Sequence, residues 1–95
     1  MTAKEGHDIE LWCPGHVVGL GIAWWKKQAS GNDRIVFDGA VQPDFEDHMF
    51  FDDTTGILTI HEADLNDNGV YWCQVGFDDA SEIHLTVLGK YKSQM

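Results

Sequence analysis

The sequence predicts an all-β domain built as a sandwich of two sheets, and three observations carry that prediction. Short runs of β-forming residues recur between Gly, Pro and Asp/Asn punctuation. No stretch shows the 3.6-residue apolar period of a helix. The composition, 43% hydrophobic and 12% aromatic, supports a packed core and argues against a disordered tail.

At 95 residues the chain has room for one domain. A chain of this size buries only about two-thirds of its unfolded surface, so a covalent staple is useful. The two cysteines, Cys13 and Cys73, lie 60 positions apart and form no C-x-x-C pair, which speaks against a redox motif or zinc ribbon. They are either bridged or two buried thiols; a bridge closing that loop stabilises by roughly 4 kcal/mol on the chain-entropy model.

The net charge is −10, from 16 acidic and 6 basic residues, which makes nucleic acid or an anionic membrane surface a poor partner. Lys4, Lys90 and Lys92 lie near the termini, so Lys26, Lys27 and Arg34 are the cations of the body. There is no apolar run long enough to span a bilayer, and the polar start, Met-Thr-Ala-Lys-Glu-Gly-His, is no signal peptide. That start fits a domain excised from a longer chain, with Met1 as an added initiator.

In chain order, Asp8–Cys13 alternates strictly, with Ile9, Leu11 and Cys13 on one face and Trp12 on the other. Pro14-Gly15 ends that strand. The glycine-rich loop to Gly21 carries Val17, Val18 and Leu20, which should tuck into the end of the core. Ile22–Lys27 is the next strand. Gln28–Asp33 reads as a polar hairpin loop, and Arg34–Phe37 as a short strand stopped by Asp38-Gly39. Ala40–Asp47 is irregular and acidic, with a weak extended dipeptide at Ala40-Val41. His48–Phe51 leads through Asp52–Gly56 into Ile57–Ile60, whose inward pair is Leu58 and Ile60. Asp67-Asn68-Gly69 supplies a tight turn that feeds the β-formers Val70, Tyr71 and Trp72. Glu82–Leu88 alternates again, with Ile83, Leu85 and Val87 on one face.

The pattern Asp67-x-Gly69-x-Tyr71-x-Cys73 resembles the E–F corner and F strand of the immunoglobulin superfamily. Cys13, Trp24 (11 residues on), Leu58, Asp67, Gly69, Tyr71 and Cys73 stand in family order and spacing over nearly the whole chain. The resemblance implies a Greek-key sandwich with an inter-sheet Cys13–Cys73 disulfide, Trp24 packed on it, and a Tyr71 hydroxyl bonded back to the corner. The 34 positions from Trp24 to Leu58 leave room for a C′ strand and a stub of C″, as in a compact variable-type (V-set) domain over residues 1–89. The intermediate (I-set) subtype is the alternative, and residues 90–95 read as a tail or linker. A disulfide implies an oxidising compartment, hence an extracellular setting on a secreted or single-pass cell-surface parent.

The chain departs from that family in three places. His48 stands where variable-type domains usually have an arginine paired with the corner aspartate, so the resemblance implies a His48–Asp67 pair that depends on pH. The last strand lacks the Phe-Gly-x-Gly bulge of antigen receptors, having Asp79-Ala80-Ser81-Glu82 instead. The first strand is almost missing, with seven residues before Asp8.

Catalytic chemistry finds no footing. Asp64-x-Asn66-x-Asn68-Gly69 opens like an EF-hand loop, but its twelfth position is Val75 rather than Glu. The acidic pairs Asp52/Asp53 and Asp78/Asp79 sit at turns, where Asp is expected for backbone reasons. The histidines at 7, 16, 48, 61 and 84 lack metal-ligand spacing, and no nucleophile motif is present. The expectation is a non-enzymatic module with no metal and no cofactor.

Strand parity then locates a binding face. With Trp24, Tyr71 and Cys73 inward, Trp25, Trp72 and Gln74 point outward from one sheet, joined by Ala23, Lys27 and either Ile35 or Phe37. Paired outward tryptophans make an apolar patch of hot-spot composition. In antigen-receptor-like domains the matching positions pack across a V–V pair, so the partner expected is a protein, first a second copy and otherwise a V–V heterodimer. Lys27 and Arg34 are expected to meet Asp78, Asp79 or Glu82 of that partner at the rim. A second candidate surface is the loop end at Gly15–Gly21, Gly39–Val41 and Gly76–Ser81, with Phe77 at its tip, shallow rather than deep. The function expected is extracellular immune-receptor-like or adhesion recognition. A structural I-set spacer and a secreted glycan- or microbe-binding domain are the alternatives.

Overall fold

The computed structural model describes residues 1–15, 21–28, 31–77 and 79–89. Its strands are β1 (Thr2–Lys4), β2 (Ile9–Leu11), β3 (Ile22–Gln28), β4 (Gly31–Phe37), β5 (Ala40–Val41), β6 (Met49–Asp52), β7 (Ile57–Ile60), β8 (Gly69–Val75) and β9 (Ser81–Leu88). A six-stranded sheet in the order β1-β9-β8-β3-β4-β5 faces a three-stranded sheet in the order β2-β7-β6. Apart from the parallel β1–β9 pair, the ladders are antiparallel.

Alternation fills the space between the sheets. Ile9, Leu11 and Cys13 from the small sheet, with Leu58 and Ile60, meet Trp24, Tyr71, Cys73, Leu85 and Val87 from the large one, all buried. The Cys13–Cys73 disulfide ties the two sheets together, with a Cα–Cα separation of 5.9 Å. Trp24 lies directly across the β3–β8 pair from Cys73.

The strand limits differ from the sequence reading in instructive ways. The expected Gln28–Asp33 loop is largely strand, because Lys26, Lys27 and Gln28 pair with Asp33, Asn32 and Gly31. Cross-strand pairing extends polar residues that have little strand tendency of their own. Residues 29–30 at the tip lie outside the described residues, as do Val17, Val18 and Leu20. The first strand, expected to be almost missing, is present in short form, since Thr2–Lys4 adds β1 to the edge at β9. The Ala40-Val41 dipeptide does pair, as β5 on β4. The Asp38-Gly39 turn between them has φ of 55° and 78°, the positive angles a two-residue hairpin requires.

A β-bulge settles the choice between Ile35 and Phe37. Trp24 pairs with Val36 but Trp25 pairs with Arg34, which leaves Ile35 as the extra residue. Ile35 and Val36 are both fully buried, and Phe37 is the outward one at 50% exposure.

The corner before β8 contains one short 3-10 turn, Leu65–Asp67, which no sequence period announced. Its capping box explains it: the Asp64 carboxylate accepts from Asn66 N–H at 2.8 Å, and the Asp67 carboxylate accepts from Asp64 N–H at 2.8 Å.

Candidate binding face and the corner beneath it

The corner is built from the residues the spacing singled out. The Tyr71 hydroxyl donates to the Asp67 carbonyl at 2.6 Å. Burial, and behind it the Asp67 and Asp64 carboxylates, push the Tyr71 phenol well above its ordinary value. His48 stands in the place of the usual arginine, and its Nε2 lies 2.7 Å from Asp67 Oδ2. The expected pair is formed.

Asn68 does more than turn the chain. Its amide donates to the Val87 carbonyl at 3.2 Å and accepts from Val87 N–H at 2.7 Å, which clamps the corner to β9. Nothing in the sequence marks that role, because it depends on a residue 19 positions away.

Lys26 is the second residue that sequence reasoning missed. The three body cations do not share a face: Lys26 turns inward and is 8% exposed. Its Nζ donates to the Asn66 carbonyl and sits 5.6 Å from the Tyr71 ring centroid, a cation–π arrangement. Parity holds the signal, since Lys26 lies between the outward Trp25 and Lys27.

His48, Asp64 and Asp67 bring ligand atoms within 4.8 Å of one another. These groups are already engaged: Asp67 holds His48 and the Asp64 amide, and Asp64 caps the 3-10 turn. The Lys26 side chain lines the same cleft, and its ammonium opposes a cation there. At the Asp52/Asp53 turn, Asp52 Oδ1 accepts from Thr54 N–H at 2.9 Å, the backbone role expected of it.

The outer face of the large sheet collects most of the expected binding residues. Trp25 on β3 lies directly opposite Trp72 on β8, and Ala23 opposite Gln74. Trp25, Trp72 and Gln74 are half-buried, whereas Lys27 and Arg34 are exposed. The tryptophans are thus more covered than bare alternation suggests. Trp72 donates its indole N–H to Glu82 at 3.1 Å, and Glu82 lies opposite it on β9. Glu82 also meets His84 Nε2 at 3.0 Å. These two hydrogen bonds, that of His84 first and that of Trp72 second, hold its carboxyl below the usual range. On the other side the Arg34 guanidinium stacks over the Phe37 ring at 4.2 Å.

Towards the loop end the face opens into a groove of about 1050 Å³, lined by Ala23, Trp25, Phe37, Gly39, Gln74 and Phe77 among others. The expected shallow surface is therefore a groove on the side facing Trp25. Phe77 at its lip is fully exposed, Asp79 is exposed, and Asp78 lies outside the described residues. The opposite sheet also carries outward aromatics: Trp12 is joined there by Phe50, exposed at 61% and 66%.

Comparison with known proteins agrees with this architecture. The family model described as immunoglobulin V-set domain matches residues 1–88. The chain is similar to the first Ig-like domain of human CD48, with 21% identity, coverage of 100% of this chain and 85% of that one, and a TM-score of 0.81. It is similar to the first Ig domain of the mouse polymeric immunoglobulin receptor, with 17% identity, 97% and 91% coverage, and a TM-score of 0.75. A further neighbour is the extracellular domain of the voltage-gated sodium channel β4 subunit, with 17% identity, 98% and 87% coverage, and a TM-score of 0.68. The β4 domains form parallel homodimers that explain that protein's role in cell–cell adhesion. At these identities the likeness is one of fold. A search of curated proteins finds no sequence match.

Proposed function

Given that the chain belongs to the immunoglobulin V-set family, we propose that it is an extracellular recognition domain of the receptor or adhesion kind. It binds protein through the outer face of the large sheet, and its first partner is a second copy of itself. The observation that carries this reading is the Trp25–Trp72 pair, side by side on the two central strands of the six-stranded sheet and both partly exposed. Tryptophan at the middle of a patch is the residue type that dominates interface energies. Lys27, Arg34, Phe37, Gln74, Phe77, Asp78 and Asp79 form its surround. The disulfide supports an oxidising, extracellular setting. The fold neighbours, drawn from cell-surface receptors and adhesion proteins, support the same class.

Sedimentation of the wild type against Trp25→Ala/Trp72→Ala tests the reading. The wild type should dimerise with rising concentration, and the double variant should remain monomeric with little change in melting temperature. A wild type that stays monomeric at high concentration removes self-association.

A further inference from the structure

The ladder registers place four residues in one row across the outer face: Arg34 opposite Trp25, Trp25 opposite Trp72, and Trp72 opposite Glu82. Read across β4, β3, β8 and β9, the row is cation, indole, indole, carboxylate. With strands about 4.8 Å apart, its charged ends are roughly 14 Å from each other along the sheet. Both ends are anchored within the chain. Arg34 is held over Phe37, and Glu82 is held by Trp72 and His84. Anchored charges lose less side-chain freedom when a partner engages them. Each Glu82 oxygen keeps acceptor capacity beyond its one intrachain bond. Lys27, exposed on β3, lies close enough to Glu82 for its charge to help keep that carboxyl ionised.

A two-fold axis relating two such faces must lie in the plane of contact. An axis along the row sets Arg34 on Arg34 and Glu82 on Glu82. An axis parallel to the strands reverses the row, so each charged end meets its opposite. It also sets Trp25 of one copy over Trp72 of the other. Like charges brought together at an interface are costly, and opposite charges fix register.

We propose that two copies of this chain associate about a two-fold axis parallel to the strands of the outer face, with Arg34 of each copy on Glu82 of the other. The inference rests on the self-association reading above and adds what that reading leaves open: the orientation of the pair and the reason the face selects its own kind. A partner must present the same row, which read in reverse is the row's own complement.

Charge exchange tests the orientation. Arg34→Glu and Glu82→Arg are made singly and together, and near-ultraviolet circular dichroism confirms that each is folded. Sedimentation equilibrium then gives the dimer dissociation constant. Each single reversal turns both charge contacts into like pairs and should weaken self-association by about tenfold or more. The Arg34→Glu/Glu82→Arg double variant should return close to the wild-type value, and so should an equimolar mixture of the two single variants. Single variants as tight as the wild type, or a mixture no tighter than its components, overturn the proposal. So does a wild type that pairs more tightly with the Arg34→Glu/Glu82→Arg double variant than with itself, which is the signature of an axis along the row. Those failures leave the binding face standing, because Trp25→Ala/Trp72→Ala weakens association under either axis. A wild type without self-association removes both.

Discussion

Tyr71 shows how one side chain joins the corner to the core. Its ring is fully buried, and its hydroxyl holds the Asp67 carbonyl at 2.6 Å. Tyr71→Phe keeps the ring and leaves that carbonyl without its donor, so denaturant unfolding should show a loss of about 1–3 kcal/mol. The same residue sets an alkaline limit. Its phenol titrates higher in the folded protein than in the unfolded chain, because burial and the nearby carboxylates disfavour the phenolate. The unfolded chain therefore releases this proton first, and stability falls once the pH rises above the unfolded value of about 10. The contribution is complete below that pH and disappears as the pH climbs through the raised folded value. The stability of the wild type should consequently drop more steeply than that of Tyr71→Phe in melts above pH 10.

At the scale of elements, the corner and β8 form one device, and Gly69 is its hinge. Gly69 has φ of 147°, and a Cβ there would meet Lys26 Cε at 3.3 Å. Gly69→Ala combines a backbone angle that L-residues avoid with a push on an inward lysine. It should cost about 1–3 kcal/mol in chemical denaturation while the disulfide still forms. The turn chemistry and alternation of this device are legible in the sequence, because Asp, Asn, Gly and β-formers act locally. The 3-10 turn is not legible, since it consists of one capped turn without a period. Nor is the extension of β4 back to Gly31, which exists because β3 offers a paired edge. The bulge at Ile35 hides for a related reason: alternation allows one of Ile35 and Val36 to be inward, and only the ladder shows that both are.

For the whole molecule, the disulfide links the sheets across a sequence separation of 60. Closing that loop is worth about 4 kcal/mol on the chain-entropy model, out of a typical total of roughly 5–15 kcal/mol. Cys13→Ala/Cys73→Ala should lower stability by about that amount in urea, a large part of what holds the domain together. The sandwich is legible in the sequence because each of its partners lies at a fixed spacing along the chain: Cys13, Trp24, Tyr71 and Cys73. The outward face was readable by parity alone at Trp25, Trp72 and Gln74. What parity could not supply is the state of those side chains. Trp72 is tied to Glu82, Arg34 is stacked on Phe37, and Lys26 is withdrawn beneath the sheet. Each of these depends on a residue brought near only by folding.

The placement of the four tryptophans gives this protein its own optical reporter. Trp24 is fully buried directly across from the disulfide, and a nearby disulfide quenches indole emission by accepting an electron from the excited ring. Native fluorescence should therefore come mainly from the outward indoles: Trp25 and Trp72 on the large sheet, and Trp12 just past the end of β2. Covering the large face shifts the first two towards the blue and leaves Trp12 as a steady reference. Reduction of the disulfide should raise emission from Trp24. Occupancy of the face and integrity of the staple can therefore be followed in one unlabelled sample, on separate signals.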